Sequence, residues 1–303
     1  MRKIIYITVI SIIVAVFFLT RFYFLKREIK RARKQLHELN NKITDKKLDL
    51  AFFDKDLEQL SIEINAQIDV KKQANAEKRR KENELKQAIA NISHDIRTPL
   101  TSILGYIQFL ELDDLSQEEK SEYTAIVKSG ALRLKVLLED FFELSIIESA
   151  DYPLKNEKIN MNNLVLEVLV GFYEQFNQEN LEPVIHIPEE AMSLIADPSA
   201  VKRVIENLVL NAIKHSNGNV VIRLKKSQST IQVIISNSAN EISEHDLKYL
   251  FDRFYKVDKT RTRKSTGLGL SIAKSLMVKM GGDLHAELQD NKLIMICEWR
   301  KGY

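Results

Sequence analysis

Cysteine is almost missing from this 303-residue chain, with Cys297 its only one. That excludes an internal disulfide framework and any multi-cysteine metal site, and the apolar run 293–299 around it reads as the setting of a buried structural thiol. Glycine and proline are scarce as well, nine and five, and every one of them falls at or after Pro99. Nothing in the first 98 residues therefore forces a break in a helix. Charge of one sign is lacking too: 45 Lys and Arg against 42 Asp and Glu leave +3, too little to imply nucleic acid, and no direct nucleic-acid partner is expected. The six histidines show no metal-ligand spacing, which removes a metal hydrolase. A hydrophobic fraction of 45% and a charged fraction of 29% are ordinary for a folded protein. The length has room for about two domains plus extras.

What is present begins with residues 4–20, an apolar run of 17 without a charge, extended by 22–25 beyond Arg21. It is at the short end for a membrane-spanning helix, and Arg21 can snorkel to the interface. The rival reading is a signal peptide. No convincing small-x-small cleavage site follows, and the flank is strongly basic: Arg21, Lys26, Arg27, Lys30, Arg31, Arg33 and Lys34 against Glu28. That flank favours an uncleaved single-pass membrane anchor with the body in the cytoplasm. It also suits anionic lipid. With no second span, only the first few residues are expected outside, so a stimulus is expected within the membrane, at its inner face or through another membrane protein.

From Leu36 a heptad runs through Leu39, Ile43, Lys46, Leu50, Phe53, Leu57, Leu60 and Ile64, broken only by Lys46. Steps alternating 3 and 4 predict a left-handed coiled coil between two chains, or an amphipathic helix packed on its own chain. Residues 54–56 are a candidate break. The charged stretch 67–86 reads as a solvated helical connector, which would make one helical path from Leu25 to His94. Around His94 the apolar seam is Leu85, Ile89, Ile92, Ile96, Ile103 and Leu110, with Pro99 at a seam position. His94 falls between seam positions and should face solvent. Thr98, four residues on, shares its helix face. After a turn at 113–117, Ser116 and Glu119 form a capping box that opens a second helix. Its seam is Tyr123, Val127, Gly130, Leu134, Leu137, Phe141 and Leu144. One hairpin cannot enclose such stripes well, whereas two make a four-helix bundle, so a homodimer is expected.

Beyond residue 150 the pattern turns α+β. Helices are predicted over 161–177, 200–214, 247–254 and 270–280. Strands are predicted over 183–187, 192–196, 220–224, 231–236, 284–288 and 293–299, with a hairpin turn at 228–230 and a C-cap at Gly281 and Gly282. The helix 204–215 places Asn207, Asn211 and Lys214 on one face. That is either a plain polar face or a site for a magnesium-bound phosphate chain, since Mg²⁺ takes oxygen ligands and Lys offers phosphate a point charge. The run 265–272 sets Gly267 and Gly269 at the start of a helix, where backbone N–H groups favour an anion.

Four ordered segments complete the picture. They are His94-Asp95-Ile96-Arg97-Thr98-Pro99-Leu100, then Glu206 to Lys214 with its two asparagines, then the Phe-rich stretch 250–258, then Thr266-Gly267-Leu268-Gly269-Leu270. From about residue 80 to its end, the chain resembles a bacterial sensor histidine kinase of a two-component system. The resemblance implies a multidomain protein: a transmembrane anchor (1–25), a helical coiled-coil linker (26–80), a helical-hairpin dimerisation and histidine-phosphotransfer domain (81–150), and a C-terminal α/β sandwich that binds ATP under a lid (151–303). It implies that His94 takes the γ-phosphoryl group of ATP with Mg²⁺ and passes it to an aspartate of a cognate response regulator. Asp95 would orient His94, and Thr98 would orient water for dephosphorylating the partner. ATP contacts would come from Asn207, Asn211, Lys214, His215, Asn237, Arg253, Thr266, Gly267, Leu268, Gly269 and Leu270, with Asn207 and Asn211 toward the metal. Arg253 suits a phosphate or a domain contact, and Phe251 and Phe254 suit packing. One box departs: the family's Asp-x-Gly-x-Gly-Ile reads Asn237-Ser238-Ala239-Asn240-Glu241-Ile242, where an Asp normally accepts from the adenine amino group. A pseudokinase acting as phosphatase or scaffold is the alternative that this departure raises.

Overall fold

The computed structural model describes residues 2–40, 47–50, 55–112, 114–216, 218–239, 242–257 and 266–300. The expected heptad positions Ile43, Lys46 and Phe53, along with Asp54, Glu241 and Asp258, lie outside them. The chain divides into two units, 1–86 and 87–303.

In the first unit, α1 (Arg2–Asn40) is a single helix of 39 residues. Its apolar window has a mean hydropathy of 2.4 and buries nothing, so it is long and apolar enough to cross a membrane. The expected uninterrupted coil does not follow it. Between α1 and α2 (Lys55–Leu110) the described residues 47–50 are not helical, and Leu48 among them is buried. Two amides hold that segment. Gln35 Nε2 donates to the Asp49 carbonyl at 3.2 Å and Gln35 Oε1 accepts from the Asp49 N–H at 3.0 Å. Asn65 does the same for Leu48, at 2.9 and 2.8 Å. An amide side chain offers a donor and an acceptor together, and so satisfies both backbone groups of a residue outside any helix or strand. Lys47 adds an ion pair to Asp69 at 2.7 Å. The 3.5-residue repeat is therefore split between α1, this segment and α2, and the path from Leu25 to His94 is not one helix.

In the second unit, α2 from Gln87 onward and α3 (Gln117–Glu148) form the expected hairpin. The Ser116–Glu119 capping box opens α3, with Glu119 N–H on Ser116 Oγ at 3.2 Å and Ser116 N–H on Glu119 Oε2 at 2.9 Å. Leu137, Leu144 and Ile147 are buried. At Gly130 a Cβ would lie 2.9 Å from Ile103 Cγ1, so glycine lets the helices close there. Tyr106, Phe109 and Tyr123 stack within 6 Å near the turn. Ile89, expected in the seam, is exposed, and Ala88 is buried in its place. A second apolar stripe stays bare: Leu100, Leu104, Leu132, Val136, Phe142 and Ile146.

The C-terminal part begins with β1 (Glu157–Asn160), which the sequence reading did not include. Then come α4 (Met161–Gly171) and α5 (Tyr173–Gln178), where one helix was expected. β2 (Val184–His186), β3 (Ser193–Ala196), α6 (Pro198–His215), β4 (Val220–Lys226) and β5 (Thr230–Ser238) follow. The chain ends in α7 (Glu244–Leu247), α8 (Gly269–Lys279), β6 (Asp283–Gln289) and β7 (Lys292–Arg300). β1 and β3 pair antiparallel; the main sheet runs β2-β4-β5-β7-β6, with only β2–β4 parallel. Alternate residues of β4, β5 and β7 are buried on one face, against α4, α6 and α8, which makes a two-layer α/β sandwich. α6 is fixed at its start by Asp197, which accepts from the N–H groups of Ser199, Ala200 and Lys155 at 2.9, 3.0 and 2.8 Å. Gly281 (φ +70°) ends α8 as expected, its N–H on the Val278 carbonyl.

The helix expected over 247–254 is corrected. α7 stops at Leu247, and residues 249, 252 and 255 each bond the carbonyl three residues back, a chain of tight turns. It ends at Phe254, whose φ is +62°. The apolar spacing looked helical because i, i+3 contacts occur in both geometries.

Candidate active site

His94 projects from α2 with its side chain 76% exposed, as its place between seam positions requires. Its Nδ1 lies 3.3 Å from Asp95 Oδ1, which leaves Nε2 pointing outward. Thr98, one turn on, donates its hydroxyl to the His94 carbonyl at 3.1 Å, so the oxygen's lone pairs stay available. Arg97 is exposed and Pro99 is buried within the hairpin. Asp95 has a second partner from the sandwich, since Lys256 Nζ reaches its Oδ2 at 2.7 Å. Burial raises the Asp95 pKa. The hydrogen bond and charge of Lys256, followed by those of His94, outweigh burial and hold the carboxyl below its ordinary range.

On the sandwich, α6 carries the asparagine face. Asn207 is buried, and its Nδ2 donates to the Arg203 carbonyl at 3.0 Å, which turns Oδ1 toward α8. A Cβ on Gly269 would meet that Oδ1 at 2.8 Å, so a glycine is needed where α8 opens. Asn211 follows half-buried, then Lys214 exposed and His215 half-buried at the end of α6. Leu268 caps α8 and is fully buried, while Leu270 is half-buried. Gly267 has φ +72°, and a Cβ there would sit 2.9 Å from Phe254 Cα. Its carbonyl accepts from the Phe254 N–H at 2.9 Å. Two left-handed residues thus lock the Phe-rich turns onto the glycine loop, and Phe254 is buried as packing. Phe251 is half-buried beneath the Lys274 ammonium, 5.8 Å from its ring centroid.

Asn237 closes β5 and is 1% exposed. Its Nδ2 donates to the Ser238 carbonyl at 3.2 Å, and its buried Oδ1 has no hydrogen-bond partner among the described residues. An orphaned buried acceptor is costly, and a ligand's N–H would relieve it.

Two further predicted residues turn toward the hairpin. Arg253 Nη2 sits 2.6 Å from both Glu148 oxygens, and Thr266 Oγ1 donates to Asp140 Oδ2 at 2.8 Å. Arg203 joins them by pairing with Glu143 and, at 3.2 Å, Asp140. Sequence reasoning missed Lys256, Arg203, Asp140, Glu143 and Glu148. The available signal was modest: Arg203 is one turn before Asn207, and the three acids all fall in the C-terminal part of α3.

Two protein-family models match the chain: the His Kinase A phospho-acceptor domain over residues 84–150, and the histidine kinase-, DNA gyrase B- and HSP90-like ATPase over residues 196–298. The sensor protein VanS of Enterococcus faecium is 32% identical over 249 residues, 77% of this chain and 65% of that protein. The sensor histidine kinase YcbM of Bacillus subtilis is 30% identical over 231 residues, 75% of this chain and 74% of the relative. The chain thus spans just under two thirds of VanS. Among solved structures, the histidine kinase ThkA, crystallised with the response regulator TrrA, superposes with a TM-score of 0.61 at 27% identity, covering 77% of this chain and 66% of that one. The Acinetobacter baumannii kinase AdeS, 22% identical with a TM-score of 0.56, shares the fold.

Proposed function

The chain belongs to the sensor histidine kinase family, and from that premise we propose that it is an ATP-dependent protein-histidine kinase that phosphorylates its own His94. The observation that carries this reading is the His94–Asp95 pair: an exposed imidazole with one nitrogen occupied by a carboxylate and the other free. Asp95 accepts from Nδ1–H and so keeps Nε2 unprotonated and nucleophilic. The Nε2 lone pair attacks the γ-phosphorus in line, the bond to the β,γ-bridging oxygen breaks, and its electron pair leaves with ADP. The Nδ1 proton stays shared with Asp95, so charge on the phosphoimidazole is balanced beside it.

ATP is proposed to bind across α6 and the glycine loop. Adenine places its amino group on Asn237 Oδ1, the phosphates lie along Gly267 to Leu270 with Thr266, and Asn211, Lys214 and His215 line the α6 side. Asn207 Oδ1, held at the loop by the Asn207–Arg203 bond, is an oxygen donor of the kind Mg²⁺ takes, and Asn211 lies one turn beyond. Bound there, Mg²⁺ would neutralise charge developing on the phosphates. Arg253 acts between the domains, through Glu148.

The phosphoryl group is proposed to pass to an aspartate of a response regulator, and Thr98 to orient the water that later removes it. The bare apolar stripe of the hairpin supports a homodimeric four-helix bundle. α1, with its basic flank, supports a single-pass anchor holding residues 26–303 in the cytoplasm, with the linker, phosphotransfer and ATP domains divided near residues 80 and 150. The purified chain with γ-labelled ATP and Mg²⁺ should acquire acid-labile, alkali-stable label that His94→Gln lacks. Label on both chains, or on neither while ATP binds, refutes the kinase reading.

A further inference from the structure

Lys256 touches both halves of the reaction. Its Cε lies 3.3 Å from where a Cβ on Gly267 would sit, so the side chain runs over the glycine loop. Its Nζ then reaches Asp95 Oδ2 at 2.7 Å, with the two side chains 17% and 20% exposed. Asp95 Oδ1 is left facing His94 Nδ1 at 3.3 Å. A carboxylate next to an exposed histidine on a helix would otherwise sample several rotamers. A half-buried ammonium on one oxygen fixes which oxygen the imidazole meets. Thr266, in the glycine loop, is tied to Asp140 of the hairpin at 2.8 Å, so the loop and the Phe-rich stretch beside it each reach the hairpin.

We infer that Lys256 is a positioning residue for His94: it pins the Asp95 carboxylate, and through it the imidazole, when the glycine loop lies against the hairpin. Lys256 lies 161 residues from Asp95 in sequence, and the Phe-rich stretch packed on the glycine loop thereby completes the acceptor. The inference rests on His94 as the phosphoryl acceptor. It adds that the ATP-binding part orients the nucleophile as well as supplying phosphate.

The test uses the full chain in nanodiscs, with the single-turnover labelling rate at saturating ATP and Mg²⁺. ATP affinity is measured separately on the His94→Gln chain, which cannot react. Lys256→Met should slow labelling at least about tenfold, since misplacing reacting groups by an ångström costs on the order of a hundredfold. The dissociation constant for ATP should stay within about twofold, and Lys256→Arg should recover most of the rate. In an Asp95→Asn background, Lys256→Met should cost less than about twofold more, the non-additivity expected of residues acting as a unit. Equal slowing in both backgrounds overturns the inference. So does weakened ATP binding with an unchanged maximal rate, or a variant faster than wild type. Label on wild type and none on His94→Gln establishes the acceptor separately, so an additive result counts against Lys256 alone.

Discussion

Gly267→Ala, set beside Gly281→Ala, isolates the strain stored where the glycine loop meets Phe254. Both glycines are left-handed, at φ +72° and +70°. At Gly281 a Cβ meets nothing within 4 Å, so alanine costs only the backbone term, about 1 kcal/mol. At Gly267 the Cβ would sit 2.9 Å from Phe254 Cα and 3.0 Å from its carbonyl carbon. That backbone is itself left-handed and is bonded to the Gly267 carbonyl, so it cannot step aside cheaply. Overpacking of this kind adds about 1–3 kcal/mol, for a total of roughly 2–4 kcal/mol. Trp299 is the chain's single tryptophan, buried on β7, so its fluorescence follows the sandwich alone during urea unfolding. Gly267→Ala should lower the unfolding free energy by clearly more than Gly281→Ala and should weaken ATP binding, while Gly281→Ala leaves binding intact. Equal losses of stability, or full ATP affinity in Gly267→Ala, would refute the reasoning.

Asn237→Leu should shift the urea midpoint of Trp299 fluorescence little, because the lost 3.2 Å bond from Nδ2 to the Ser238 carbonyl is offset by removing a buried acceptor that has no partner among the described residues. The same variant should reduce ATP affinity at least about tenfold by calorimetry, the worth of a lost buried hydrogen bond. Asp246 is held down to about 2 by the Ser243 side chain, then the Tyr255 hydroxyl and the Ser243 backbone N–H. A depressed carboxyl contributes stability above its unfolded pKa of about 4 and loses it as pH falls toward 2, so Asp246→Asn should flatten the acid limb of the stability curve there. Tyr255 is pushed up to about 12 by burial first and then by Asp246. Its contribution is present below about pH 10 and is lost as pH rises toward 12, a loss that Tyr255→Phe should remove from an alkaline titration. Leu104→Glu with Phe142→Glu, on the bare stripe of α2 and α3, should convert a dimer to a monomer by light scattering.

Most of what the sequence made legible was periodic. The hairpin, its Ser116 cap, the exposed His94 and most strands follow from residue spacing and cap chemistry, both of which act within one turn or one strand. The errors fall where local spacing serves two geometries. The 36–64 heptad counts apolar positions and is blind to Gln35 and Asn65, whose amides hold the non-helical residues Leu48 and Asp49. The 247–254 spacing fits a helix and a run of three-residue turns alike, and the choice is made by a glycine loop whose Gly267 lies 13 residues after Phe254. α4 and α5 part at Phe172 (φ −99°, ψ 6°), directly after Gly171, a glycine that the continuous apolar spacing of 161–177 masks.

The site was legible as residue types, and its assembly was not. Lys256 and Arg253 look like ordinary polar positions of the Phe-rich stretch, and Asp140, Glu143 and Glu148 like a solvated helix edge. Together they make a one-sided contact: the sandwich brings cations in Arg203, Arg253 and Lys256, and the hairpin brings carboxylates in Asp95, Asp140, Glu143 and Glu148. These pairs are only partly exposed, and each trades the solvation of two charges for one contact, so their net contribution to cohesion is small. A charge-matched, weakly held contact instead fixes register while remaining breakable, and the proposed transfer of a phosphoryl group to His94 calls for both properties.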